Sequence, residues 1–153
     1  MLAGRIKFER FEMPAPNRSP EKLKSQRRSA KAVILRDREV LLLHRPCGRW
    51  DLPGGQLKTG EAVSEGLLRE VAEETGLRVR ALDQLMSTRR RSAKSGHCLS
   101  MAFLCAPDAP LEMDAVRLSE EHDGFAFVDL KNAGKLNLPP HQKKALHAAR
   151  KFL

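Results

Sequence analysis

Three glutamates crowd one short stretch, Glu70, Glu73 and Glu74 in the run Arg69-Glu70-Val71-Ala72-Glu73-Glu74. In a helix, spacings of three and four place all three carboxylates on neighbouring positions of one face. Like charges so placed repel, each i,i+4 clash costing roughly 0.2–0.5 kcal/mol on an exposed helix. Glu70 and Glu74 also fall beside Val63 and Leu67, at the edge of the apolar stripe, where unpaired charge is dearer still. A cation between the carboxylates removes the difficulty, and an all-oxygen set with no Cys or His nearby in sequence suits a hard divalent ion, Mg2+ or Mn2+. Spacing alone leaves two readings open, a metal site and a solvated acidic face.

Several elements must position these side chains. Trp50-Asp51-Leu52 runs into Pro53-Gly54-Gly55, a turn whose glycines let backbone approach closely. Residues 61–75 read as a helix through Val63, Leu67, Leu68, Val71 and Ala72, and Gly76 sits where a left-handed residue would end it. Upstream, residues 32–35 and 40–44 predict a hairpin around the charged turn 36–39. Downstream, residues 79–86 and 99–105 predict strands flanking a polar loop that carries Arg89, Arg90, Arg91 and Lys94. Residues 125–128 predict a further strand, and residues 140–153 a closing helix with Ala145, Leu146, Ala149 and Phe152 on one face. Strands on both sides of a helix, with a second helix at the end, predict an α/β layered domain with a mixed sheet.

The 153 residues suit one domain, and 41% hydrophobic with 31% charged residues is a globular composition rather than that of a disordered chain. Net charge is +9, distributed as +6 in residues 1–31, +6 in residues 131–153 and −3 between them. Basic ends suit polyanionic partners and an acidic centre suits cations, though solvated surface explains such runs equally well. Residues 1–30, with Pro14, Pro16 and Pro20, read as a basic N-terminal arm, and residues 31–153 as the folded domain. No apolar stretch approaches a membrane span, and no signal peptide is expected. Cys47, Cys98 and Cys105 form no CxxC pair, which predicts neither disulfides nor a thiolate zinc site and makes a reducing cytoplasm the expected location.

Gly55, five residues, Glu61, seven residues, then Arg69-Glu70-Val71, Ala72, Glu73-Glu74, Thr75 and Gly76-Leu77 resembles the complete Nudix hydrolase box, with no position departing from it. Trp50 to Gly55 and Ser119-Glu120-Glu121-His122 also resemble common features of that family. The resemblance implies an α/β/α sandwich and a metal-dependent hydrolase of nucleoside diphosphate derivatives. It implies Glu70, Glu73 and Glu74 as metal ligands, with the carbonyl of Gly54 or Gly55 completing the shell. Arg69 and Glu61 become supporting residues, Arg69 pairing with Glu73 or Glu65, and Gly76 a structural one. The general base is Glu70, or Glu120 or Glu121 from the late loop. His122 is expected as a surface or packing residue and Trp50 as core, while Arg45, Arg90 and Arg91 could hold substrate phosphates.

Family markers bear on substrate by their absence. There is no tyrosine of the kind that resembles diadenosine polyphosphate hydrolases, no proline between Pro53 and Pro107 as in many ADP-ribose pyrophosphatases, and no Ser-Gln-Pro-Trp pattern. The leading expectation is a MutT-like (d)NTP pyrophosphohydrolase. Alternatives are an ADP-ribose-type enzyme and a diphosphoinositol polyphosphate or RNA 5′-end pyrophosphohydrolase. A nucleic-acid-binding or regulatory module without catalysis is a further alternative that the intact carboxylates disfavour. The expected partner is a small nucleotide or other diphosphate, with nucleic acid less favoured, no membrane, and a monomer or homodimer.

Overall fold

The computed structural model describes residues 27–92 and 96–153, so the basic segment 1–26 and Lys94 lie outside the described residues. In chain order the elements are β1 (Arg27–Arg36), β2 (Glu39–His44), β3 (Trp50–Asp51), β4 (Gly54–Gln56), α1 (Val63–Thr75), β5 (Val79–Ser92), β6 (Gly96–Pro107), a 3₁₀ turn (Met113–Ala115), β7 (Gly124–Asp129), α2 (Leu130–Ala133), α3 (Pro140–Ala149) and a final 3₁₀ turn (Arg150–Phe152). The strands form one mixed sheet ordered β3-β2-β1-β6-β5, with β4 pairing β1 and β7 pairing β2. Only β1 and β6 run parallel, in register Ala30 with Met101 and Ile34 with Cys105; all the other pairings are antiparallel.

Strand alternation divides the core in two. On β1, Ala30, Ala32 and Ile34 join Leu41, Leu43, Met101 and Phe103 beneath α1, which contributes Leu67 and Val71. The intervening Val33, with Val40, Leu42, Ala102 and Leu104, packs beneath α2 and α3 through Leu130, Ala133, Ala145, Leu146 and Ala149. The result is the expected α/β/α sandwich. Leu67 and Val71 are fully buried, worth roughly 1.5–3 kcal/mol each, which fixes the face of α1 and so the face its carboxylates occupy. Gly76 ends α1 in the left-handed region at φ 70°, its N–H bonded to the carbonyl of Ala72.

β1 forks at the site. Its first half pairs β4 at Ser29 to Lys31, and its last residues pair β2 at Leu35 and Arg36. It begins at Arg27, ahead of the expected 32–35, because the polar residues before Ala32 have partners: Arg28 is buried and donates to the carbonyls of Lys58 and Glu61 at 3.3 and 2.7 Å. α1 starts at Val63 rather than at Glu61. The expected polar loop of Arg89 to Arg91 is instead the end of β5, paired with Cys98, His97 and Leu99 of β6. Charge density concealed the alternation there.

Candidate active site

Arg69 is the hub of the exposed face of α1. Its Nε and Nη2 donate to the two carboxylate oxygens of Glu61 at 2.7 and 3.0 Å, and its Nη1 reaches Glu70 at 3.0 Å and Glu73 at 3.2 Å. This bidentate fork holds Glu61 down to about 2, the Arg69 hydrogen bond first and the Lys58 N–H at 2.8 Å second, and raises the guanidinium in turn. The expected pairing with Glu73 is present, and Glu61 and Glu70 take the remaining donors where Glu65 was the alternative. Glu61 lies two residues before α1 and is seated by Arg28 beneath it. Gly66 makes room, since a Cβ there would stand 2.9 Å from Glu61 Oε2.

Glu74 turns the other way. It is buried, and its Oε2 accepts the Gly54 N–H at 3.0 Å. Burial lifts its carboxyl to about 7, with Asp51 and Glu70 adding to the rise against the opposing charge of Lys31 and the Gly54 bond. Gly54 is held at φ 127° where a Cβ would collide with the carbonyl of Ala30, and its own carbonyl accepts from Lys31 Nζ at 2.9 Å. At Gly55 a Cβ would stand 2.7 Å from Glu70 Oε2, so the second glycine leaves space for that carboxylate.

The loop before β7 is fastened across the end of α1: Arg117 N–H donates to the carbonyl of Thr75 at 2.8 Å and Ser119 N–H to that of Glu74 at 3.3 Å. This brings Glu121 and His122 to Glu74, with ligand-capable atoms of all three within 4.8 Å of one another. Glu120 is exposed and stays outside that group. His122, expected as a surface or packing residue, is buried at 5% exposure, faces carboxylates, and has no hydrogen-bond partner at either ring nitrogen. Burial and the charge of Arg45 hold the ring below its usual range. Of the three expected ligand glutamates, then, Glu70 and Glu73 share Arg69 while Glu74 faces Glu121 and His122.

A second network lies on the α3 side of the fork. Asp51 is buried and receives Lys31 at 3.2 Å, Arg45 at 2.9 Å and Gln142 Nε2 at 2.5 Å, which together outweigh burial and keep the carboxyl below its ordinary range. Gln142 also accepts the Leu52 N–H at 2.8 Å, tying α3 to the strand before the glycine turn. Arg45 is thus engaged with Asp51, with Glu121 and Glu74 close enough to raise it further against the cost of burial. Arg90 donates to Ser100 at 2.7 Å, and Ser100 to or from Ser29 at 3.2 Å. Next to it His141, at the start of α3, is pushed down to about 4 by burial and by the charges of Arg90 and Lys31. Arg91, one residue along β5, is exposed on the opposite face.

Lys31, Asp51, Gln142 and Gly66 had no place in the sequence-based site. Asp51 carried a faint signal, a lone acid between Trp50 and Leu52, whereas Gln142 meets it from 91 residues away. The arrangement sets an acidic recess and rim beside a basic network of Lys31, Arg45 and Arg90. Orphaned nitrogens of His122, the buried Glu74 carboxylate and the space that Gly55 leaves for Glu70 all fit residence of a divalent cation.

The NUDIX domain family model matches residues 25–149. A "MutT-like protein" of Streptomyces ambofaciens is 34% identical over 100 residues, spanning 65% of this chain and 60% of that protein. An "ADP-ribose pyrophosphatase" of Methanocaldococcus jannaschii is 34% identical over 112 residues, spanning 68% of this chain and 62% of that protein. The match covers less than two thirds of either relative's length. Among solved structures, the MutT protein of Methanosarcina mazei Go1 superposes with a TM-score of 0.69 at 28% identity, over 84% of this chain and 96% of that one.

Proposed function

The chain belongs to the NUDIX domain family, and on that premise we propose that it hydrolyses the diphosphate linkage of a nucleoside diphosphate derivative, with (d)NTPs as the leading substrate class. The observation that carries this is the division of the box carboxylates between an Arg69-bound rim and a buried recess at Glu74, with the basic side chains Lys31, Arg45 and Arg90 alongside. Glu70, Glu73, Glu74 and Glu121 would hold Mg2+ or Mn2+. When bound, such ions neutralise phosphate charge and lower the pKa of a coordinated water.

The chain's own residues do the rest. Arg69 bonds Glu70 and Glu73 through one nitrogen and so aims them together. Glu121, exposed like Glu120 but standing beside Glu74, is the late-loop carboxylate that supports a role as general base. Arg45 and Lys31 place positive charge beside Asp51 and the recess, and Arg90 extends it along the α3 face, where a phosphate chain would be received. The glycines keep this floor free of side chains.

The test is release of phosphate or pyrophosphate from a panel of (d)NTPs, 8-oxo-dGTP, ADP-ribose and an RNA 5′ triphosphate, with Mg2+, with Mn2+ and with chelator. Metal-dependent turnover of at least one mononucleotide is expected. Exclusive turnover of ADP-ribose would favour the second named relative's class, and no turnover of any diphosphate would overturn the proposal.

A further inference from the structure

His122 is the least accounted-for polar group among the described residues. A neutral imidazole has one donor and one acceptor, and buried polar groups are almost always bonded. Here the ring is 5% exposed and both nitrogens lack a partner, as does the buried hydroxyl of Ser119 on the same loop. A packing role would be met as well by an apolar side chain, with no orphaned atoms. The ring also does not sit among apolar neighbours alone: its ligand atom lies within 4.8 Å of those of Glu74 and Glu121, and Arg45, Asp51 and Lys31 all act on it through their charge. The loop is stapled in this position by the bonds from Arg117 and Ser119 to the end of α1, so the ring is held at the recess.

We propose that His122 is a nitrogen ligand to a divalent cation shared with Glu74 and Glu121, making this one position a mixed imidazole–carboxylate site that prefers Mn2+, Co2+ or Zn2+ to Mg2+. Two carboxylates alone would suit a hard ion. Imidazole shifts the balance, since Mg2+ favours oxygen ligands and retained waters, whereas the later transition ions bind nitrogen increasingly well. The inference rests on the proposed cation-binding role of Glu74, and it adds a residue that the box does not contain and a metal preference that the box glutamates alone would not produce.

The test uses the full chain with 15N-labelled histidine and no substrate. In long-range proton–nitrogen spectra, with rings assigned through the backbone, Zn2+ should shift one His122 ring nitrogen to the metal-bound range. Calorimetry with Mn2+ and with Mg2+ on wild type and His122→Gln should show Mn2+ affinity falling on the order of tenfold or more in the variant, with Mg2+ affinity changing far less. An unmoved His122 ring while Zn2+ binds elsewhere overturns the proposal, as does wild-type Mn2+ affinity in the variant. Should His122→Gln fail to fold, the wild-type spectrum decides alone. If divalent ions bind and nucleotides are hydrolysed while the ring is silent, only this inference falls; if no divalent ion binds at all, the proposed function falls with it.

Discussion

Glu73 and Glu74 are consecutive in the chain and belong to two different electrostatic regions. Glu73 stands on the rim, exposed, where Arg69 gathers it with Glu61 and Glu70 into one network, a single guanidinium serving three carboxylates that water also reaches. Glu74 lies in the recess, where a single backbone N–H supports it, a second carboxylate and an unbonded imidazole face it, and burial drives its proton affinity up. One turn of helix serves both, because a step of 100° per residue carries one side chain to solvent and the next under the glycine turn. Each rim carboxylate has a hydrogen-bonded guanidinium partner, though together they still carry excess negative charge. The recess lacks even that partner, and an under-compensated cluster of titratable groups is where function concentrates.

The comparison breaks most visibly at Glu74. Glu74→Gln keeps a carbonyl oxygen to accept the Gly54 N–H but removes the charge, so kcat should fall about 10²–10³-fold with the fold intact by circular dichroism. Near-wild-type kcat would show the recess to be structural. The same variant sharpens the pH dependence. A carboxyl raised from 4.5 to about 7 binds its proton more tightly folded than unfolded. The contribution is therefore present in full below about pH 4.5 and is lost as pH rises to about 7, a swing of up to about 3 kcal/mol in metal-free protein. His141, pushed down to about 4, slopes the other way across part of that window. The wild-type minus Glu74→Gln difference in urea midpoints, in chelator from pH 4.5 to 7.5, isolates the Glu74 share and should fall steadily with rising pH, wild type losing stability relative to the variant.

Arg69 tests the rim. Lysine keeps the charge but offers no planar fork, so it cannot hold Glu61 with two bonds while reaching Glu70 and Glu73. Arg69→Lys should lower kcat/KM about 10–100-fold, less than Glu74→Gln, through misplaced carboxylates rather than a lost one. Rescue of much of that loss at high Mn2+ is expected for Arg69→Lys and not for Glu74→Gln. Equal rescue of both would merge the two regions into one.

The rim was legible in the sequence and the recess only in part, for a physical reason. Rim contacts join residues within one helix and the loop before it, so spacing exposes Arg69, Glu70, Glu73 and Glu61 together. The two-layered core was legible too, since Val33 and Ile34 on β1, like Leu41 and Leu42 on β2, alternate by strand periodicity. The recess depends on a loop more than forty residues beyond the helix, laid across Thr75 and Glu74 by backbone bonds that no side-chain pattern announces. That is why Glu120 and Glu121 were indistinguishable in sequence and His122 looked inert. The Asp51 network is remoter again, assembled from Lys31, Arg45 and Gln142 on three elements. At Arg89 to Arg91 the difficulty was different: an exposed strand of uniform charge has no apolar alternation to betray it.

That strand supplies the smallest expected effect. A loop would have let Arg90 and Arg91 act together on a phosphate chain, whereas consecutive strand residues point to opposite faces of the sheet. Arg90 lies on the α3 side, bonded to Ser100 and acting on His141, on the same face as Lys31 and Asp51. Arg91 lies on the other face, level with His97. Both are exposed, so water and salt screen whatever they contribute. Arg90→Gln should raise KM for a nucleotide by a few-fold at most and the loss should fade as salt approaches roughly 0.5 M, while Arg91→Gln should leave both kcat and KM unchanged. Steady-state kinetics of the two variants at low and high salt decide it. Equal effects would mean that the substrate reaches around the sheet edge, as a long polyanion such as an RNA end could. A loss at Arg90 alone confines binding to the α3 face and to a ligand small enough to lie between Arg90 and the Glu74 recess.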